Sequence, residues 1–217
     1  MAYTIFRVQL DDHERLEYFL RKELQVCRTT LINGGTIVFP TETLYGLGVD
    51  IFNENAIDRV IALKKRPHNI PIAVAVTDLK QVEQLAIVTK TAKRIITNCL
   101  PIPLTILLKS KNIVNQKLLG GSDLIGFRFP DHPVTVEIIN HFGPITATSA
   151  NLHGAPPPVV IDTAIDQFGD QINIYIDSGK CRYSKPSTVI DTTGDTIKII
   201  RHGACSGNEL QECMGGA

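Results

Sequence analysis

TIVFPTETLYGLGVDIFNENAIDRVIALKKRPHNIPIAVAV, residues 36–76, is the stretch from which the architecture can be read. Thr36 to Phe39 has strand character, and Pro40 stops the run because proline has no N–H to give a ladder. Thr41, Glu42 and Thr43 follow, then Tyr45-Gly46-Leu47-Gly48. Asn53 is placed to cap a helix whose apolar face is Ile57, Val60 and Ile61. Lys64, Lys65 and Arg66 crowd its end, where cations suit the helix dipole. Pro67 favours an extended Arg66. Ile72 to Val76 then reads as a buried strand.

Lys64 and Arg66 stand two residues apart, a spacing that does not share a helix face. If the helix frays before Pro67, the extended chain turns both cations to one side. Thr41 and Thr43, and later Ser149 and Asn151, repeat that spacing at the ends of apolar runs. The three pairs predict one polar rim, lining one concave pocket above a sheet.

Outward from this stretch, Tyr3 to Leu10 reads as a strand. Asp11 or Asp12 caps a helix that continues, with room for a break, to Asn33, with Leu16, Phe19, Leu20, Leu24 and Ile32 as its apolar face. Helices are expected over 78–85, 89–99, 132–142 and 162–168, and strands over 104–108, 124–129, 145–147, 172–176, 187–191 and 197–201. Strands and helices interleave without a linker, which predicts one α/β domain with a mixed sheet over residues 1–203. Residues 204–217 carry little apolar content and read as a loose tail.

Lys plus Arg equals Asp plus Glu at 22 each, so any anion site must be a local cluster rather than a global basic field. The five cysteines are odd in number and include no C-x-x-C, which argues against a disulfide framework or structural zinc and for reduced thiols in the cytoplasm. The start, MAYTIFRVQLDD, lacks the pattern of a signal peptide, and no apolar run reaches the ~20 residues of a membrane helix. There is no P-loop, no third glycine after Gly46-Leu47-Gly48, no H-E-x-x-H and no G-x-S-x-G. The six histidines are scattered and read as surface or loop residues.

Taken singly, the polar groups leave alternatives open. Lys64 to Arg66 is either an anion site or a solvated helix end. Arg128, inside an apolar strand, needs a partner: a structural carboxylate or an anionic ligand. Arg201 fits a surface role, and Ser149 and Asn151 fit a turn.

The order of motifs goes further. PTETLYGLG at 40–48, K-x-R-P at 64–67, P-L-T at 103–105, F-R-F-P at 127–130, S-A-N at 149–151, P-S-T-V-I-D at 186–191 and R-x-G at 201–203 follow one another as in the YrdC family. The chain resembles the short, single-domain threonylcarbamoyl-AMP synthases of that family over about Gly34 to Gly203. Leu44 in place of valine, and Thr148 in place of proline before S-A-N, are mild departures. The resemblance implies an α/β fold, a twisted mixed sheet flanked by helices around a concave cavity. It implies an L-threonylcarbamoyladenylate synthase that joins L-threonine, bicarbonate and ATP, with Mg2+, and releases pyrophosphate. The product would serve tRNA and tRNA-modifying proteins downstream, with no membrane involved. By the same resemblance Lys64 and Arg66 are catalytic. ATP is met by Lys64, Arg66, Ser149, Asn151 and Arg201, and threonine by Thr43, Arg128 and Ser187, with Arg128 as a carboxylate fork; no protein metal ligand is implied. An RNA-binding or ribosome-associated module on the same concave surface is the alternative, disfavoured by balanced charge and few interleaved aromatics.

Overall fold

Twelve strands and nine α-helices order residues 3–215, the part of the chain that the computed structural model describes. In chain order the strands are β1 (Thr4–Arg7), β2 (Ile37–Phe39), β3 (Gly46–Gly48), β4 (Val74–Ala75), β5 (Ala86–Ile87), β6 (Leu104–Ser110), β7 (Leu124–Arg128), β8 (Ile145–Thr146), β9 (Thr148–Ser149), β10 (Ile174–Asp177), β11 (Thr188–Asp191) and β12 (Lys198–Arg201). The helices are α1 (His13–Tyr18), α2 (Leu24–Ile32), α3 (Glu54–Leu63), α4 (Leu79–Leu85), α5 (Lys90–Asn98), α6 (Gln116–Leu119), α7 (Pro133–Phe142), α8 (Ile161–Phe168) and α9 (Gly207–Cys213).

The strands form two mixed sheets. One runs β1-β10-β2-β3-β9, the other β12-β11-β6-β7-β4-β8, with β5 beside β6. They meet where Thr146 donates to Val49 and Asp50 bridges Ile145. Pro40 ends β2 as expected, and the Y-G-L-G segment returns as β3, antiparallel to it. Gly46 stands opposite Phe39, and a Cβ there would lie 2.5 Å from the Phe39 ring, so only glycine lets the ring cover β3.

Asp12 caps α1, its side chain accepting from Arg15 N. The expected break in the first helix is a π-turn over Phe19–Glu23, closed by Leu24 N on Phe19 O. It brings Phe19 and Leu24, five apart, to one buried face, continued by Cys27 and Leu31. The phase shift corrects the expectation for Ile32, which is 52% exposed. This face packs with α7 and with Ile37, Phe39 and Ile174 in one of two cores; α3, α5 and α8 seal the other.

Asn53 caps α3 by accepting from Ala56 N, and Ile57, Val60 and Ile61 are buried. The helix does not fray into an extended chain at Lys64. Lys64 is its helical C-cap, Lys65 turns left-handed at φ 49°, Lys65 N donates to Ala62 O and Arg66 N to Ile61 O. This is a Schellman reversal with lysine where glycine is usual.

Two expectations about the C-terminus and the cysteines are corrected. Residues 204–215 are not a loose tail: Ser206 and Glu209 form a reciprocal capping box that starts α9, and Leu210 is buried; the remaining two residues of the expected tail, 216–217, lie outside the described residues. Cys99 and Cys213 are joined by a disulfide across 114 residues, where the end of α5 meets the end of α9. Seven residues with one buried apolar side chain leave little periodicity to read, and such a separation carries no spacing signal. The disulfide also removes the cysteine argument for a reducing compartment. Among the described residues, no helix is long and apolar enough to cross a membrane.

The Schellman turn carries a direct test. A non-glycine residue in the left-handed region costs roughly 1 kcal/mol. Lys65→Gly is therefore expected to raise unfolding free energy by about 1 kcal/mol in urea titrations; unchanged or lower stability would show that the Lys65 side chain contributes more than its backbone strain costs.

Candidate active site

The two sheets enclose a cavity of about 460 Å³. Thr41, Thr43 and Gly46 come from the P-T-E-T turn and β3, Thr105 and Arg128 from β6 and β7, and Ser187 and Arg201 from the β11–β12 hairpin. Arg66, Ser122, Thr148 and Ser149 complete the polar wall. Apolar side chains, among them Leu44, Ile72, Leu107 and Val189, line the remainder. The rim predicted from the three two-residue pairs is thus met by Thr41, Thr43, Arg66 and Ser149. Lys64 and Asn151 are not in that wall.

They lie just behind it. Lys64 is only 2% exposed, which corrects the solvated-helix-end reading for this residue; Lys65 alone is exposed there. The Lys64 ammonium donates to Ser149 O, to Asn151 O at 2.5 Å and to Asn151 Oδ1 at 3.4 Å, while His153 N donates to Lys64 O. Ser149 Oγ donates to Asn151 Oδ1 at 2.6 Å. The two-residue spacing of K-x-R therefore divides the cations: the reversal at Lys65 turns Lys64 onto the S-A-N turn and leaves Arg66 at the cavity.

Arg66 donates to Ile70 O and Pro71 O. Across the cavity Arg201 donates to Ser187 O at 2.8 Å. Burial, then the charge of Arg201, lowers the Arg66 pKa, and burial lowers that of Arg201. Arg66 is half-buried and Arg201, as its surface reading expected, is exposed, at the cavity's edge; with no carboxylate in the wall the two guanidiniums make a positive field there.

Arg128 has a different environment. It is 5% exposed and ion-paired with Glu42, itself 3% exposed, so the structural-carboxylate alternative holds. Its Nη1 donates to Leu104 O and Phe129 O, and its Nη2 also reaches Thr43 Oγ1 at 3.4 Å. The guanidinium borders the cavity, but both terminal nitrogens are engaged, which corrects the picture of a free two-nitrogen fork. Glu42 Oε2 accepts from Asp131 N, closing the turn against the loop after β7.

A hydroxyl cluster lies beside it. Thr41 Oγ1 and Thr43 Oγ1 are 2.9 Å apart, and Thr105 Oγ1 and Ser187 Oγ 2.7 Å apart. In the sequence Thr105 and Glu42 stand only within the P-L-T and P-T-E-T motifs, with no role marked for either. The available signal for Glu42 was complementarity: one acid in the turn, one lone arginine in an apolar strand, each needing a partner. His132, expected on the surface or in a loop, has its Nδ1 buried.

The geometry bears comparison with known proteins. The family model for Sua5, YciO and YrdC, described as telomere recombination, matches residues 29–203. A Methanocaldococcus jannaschii protein described as a putative threonylcarbamoyl-AMP synthase is 35% identical over 209 residues, covering 96% of each chain. The structure of Pyrococcus abyssi Sua5 complexed with L-threonine is similar with a TM-score of 0.89 at 30% identity, over 97% of this chain and 61% of that one. Escherichia coli YciO is similar with a TM-score of 0.82 at 26% identity, over 97% of this chain and all of that one.

Lys64 supplies a pH test. Burial first, then the charge of Arg66, pulls its pKa from 10.5 to about 7, against the three oxygens that favour the ammonium. Because the folded value is the lower one, the unfolded chain holds the extra proton between pH 7 and 10.5, and stability from this group rises with pH in that window. Unfolding of the native protein and of Lys64→Met, followed from pH 7 upward, should show the difference moving in favour of the native protein. The lost hydrogen bonds give a constant offset; a difference independent of pH would place the Lys64 pKa near its ordinary value.

Proposed function

We propose a function on the premise that this chain belongs to the Sua5, YciO and YrdC family: it is an L-threonylcarbamoyladenylate synthase. The observation that carries the reading is the paired Arg66 and Arg201 field over a hydroxyl-lined cavity. The substrates are L-threonine, bicarbonate and ATP. The threonine amine and bicarbonate give a carbamate and water. A carbamate oxygen then attacks the α-phosphorus, the bond to the β-phosphate oxygen breaks, and pyrophosphate leaves. Two anions must meet, so positioning and fixed positive charge are the main requirements, and no covalent enzyme intermediate is needed.

Arg66 and Arg201 take the phosphates, and Ser149 reaches the nucleotide from β9. Lys64 acts from behind, holding Ser149 and Asn151 in place through their carbonyls. Thr43, Ser187 and Thr105 take the amino acid, supported by the known threonine complex of the Pyrococcus abyssi relative. Arg128 faces the amino acid while braced by Glu42. Mg2+ fits as a companion of ATP: the cavity wall offers hydroxyls and cations but no carboxylate, so phosphate oxygens and water would hold the ion. The adenylate goes on to tRNA modification by downstream proteins.

Pyrophosphate release from ATP, with threonine and bicarbonate omitted in turn, tests this reading. Release is expected only with both present. Arg66→Ala and Arg201→Ala should each lower the rate by about a hundred- to a thousand-fold while folding is retained, the usual loss for one oriented donor. Lys64→Ala should lose rate and stability together. Threonine-independent release, or near-native turnover in Arg66→Ala and Arg201→Ala, would overturn the assignment.

A further inference from the structure

Behind the P-T-E-T turn lies a second cavity of about 350 Å³. Glu42, His132, Ser178 and Cys181 line it, with Lys180 and Arg182 exposed at its edge. Thr41 borders both cavities. Three polar atoms of its lining residues, Glu42 Oε1, His132 Nδ1 and Ser178 Oγ, are buried without a hydrogen-bond partner; Glu42 Oε1 is held by the Arg128 ion pair, which leaves His132 Nδ1 and Ser178 Oγ. Leaving such a group unsatisfied in a buried site costs its full desolvation penalty. Two in the wall of one cavity call for a partner inside it, a water or a ligand.

The chemistry of the wall selects the ligand. Both carboxylates are matched, Glu42 by Arg128 and Asp131 by Arg182 at 2.7 Å. Burial pushes the Cys181 thiol up to about 11, so it is uncharged at neutral pH. Burial lowers the His132 pKa to about 4, so the ring is neutral and presents an N–H from Nδ1 in one tautomer. A serine hydroxyl, that N–H and the Lys180 ammonium are all donors, and a ligand that only accepts satisfies all three at once.

We propose that this cavity binds a small oxyanion, a phosphate or carboxylate group, through Ser178 Oγ, His132 Nδ1 and the Lys180 ammonium. The site is separate from the cavity assigned to catalysis and does not rest on that assignment. Its back wall is the turn that carries Thr41 and Glu42, so occupancy would bear on the brace of Arg128.

The test reads His132 itself. In protein labelled with ¹⁵N-histidine, the His132 ring signals are identified by their loss in His132→Gln, and inorganic phosphate or acetate is titrated at neutral pH. The signals should move saturably with a midpoint in the low-millimolar range or tighter, and the ring pKa should rise. Lys180→Ala, an exposed change that leaves the fold intact, and Ser178→Ala should each raise the midpoint by about tenfold, the worth of one charge-assisted or buried hydrogen bond. Arg66→Ala, which alters the other cavity, should leave the midpoint unchanged. Movement with phosphate alone assigns the site to phosphate groups; movement with acetate too extends it to carboxylates. Signals that stay still with both ions, a midpoint indifferent to Lys180→Ala and Ser178→Ala, or one that follows Arg66→Ala would overturn the proposal.

Discussion

The buried pair of Glu42 and Arg128 is the contact on which the site depends. Neither charge survives alone in a wall this dry: removing one partner of a buried pair typically costs about 3–5 kcal/mol, because the other is left uncompensated. Their contact joins a turn after β2 to a strand end in the other sheet. Glu42 then takes Asp131 N, and Arg128 takes two carbonyls and Thr43. One ion pair thus fixes the separation of the two sheets at the floor of the cavity. An apolar pair of like volume can pack as well but would orient neither Thr43 nor the loop after β7.

Lys64 does similar work at the opposite wall with a single charge. It has no carboxylate partner there; three oxygens of the S-A-N turn surround its ammonium. A lysine can satisfy three acceptors with three donors, and its compact head fits where a planar guanidinium would not. The consequence is that positive charge is layered. Lys64 fixes the turn, while Arg66, bonded to two carbonyls through Nε and Nη2, and Arg201, bonded to Ser187 through Nη2 alone, keep free N–H groups for an anion. Preorganised charge of this kind needs no rearrangement when the reacting anions meet.

Much of this was legible in the chain. Caps at Asp12 and Asn53, the stop at Pro40 and the buried face of Ile57, Val60 and Ile61 follow local rules and are found as read. The misreadings have physical causes. Ile32 was placed by a 3.6-residue period that a π-turn interrupts. Lys65 in the left-handed region has no local signal, because glycine is the usual marker and Pro67 argued for extension. The disulfide and α9 depend on contacts more than a hundred residues apart in sequence. The rim of the cavity was legible through polar pairs at strand ends, but whether a cation faces the cavity or backs it is decided by tertiary contacts that spacing does not encode.

The closing R-x-G motif shows how a packing constraint can look like a chemical one. Gly203 touches nothing in the cavity, yet a Cβ on it would stand 2.3 Å from Pro186 O and 2.4 Å from Ser187 O. Only a residue without a side chain lets the strand end lie this close to the P-S-T segment. From there Gly203 N donates to Thr188 Oγ1, Ala204 N to Pro186 O, and Thr188 Oγ1 to Cys205 O. These bonds hold β12 in register with β11, and that register puts the Arg201 guanidinium on Ser187. The glycine therefore positions the arginine two residues before it, and the start of the C-terminal segment, through Ala204 N on Pro186 O and Cys205 O on Thr188 Oγ1, braces that arrangement from outside the cavity.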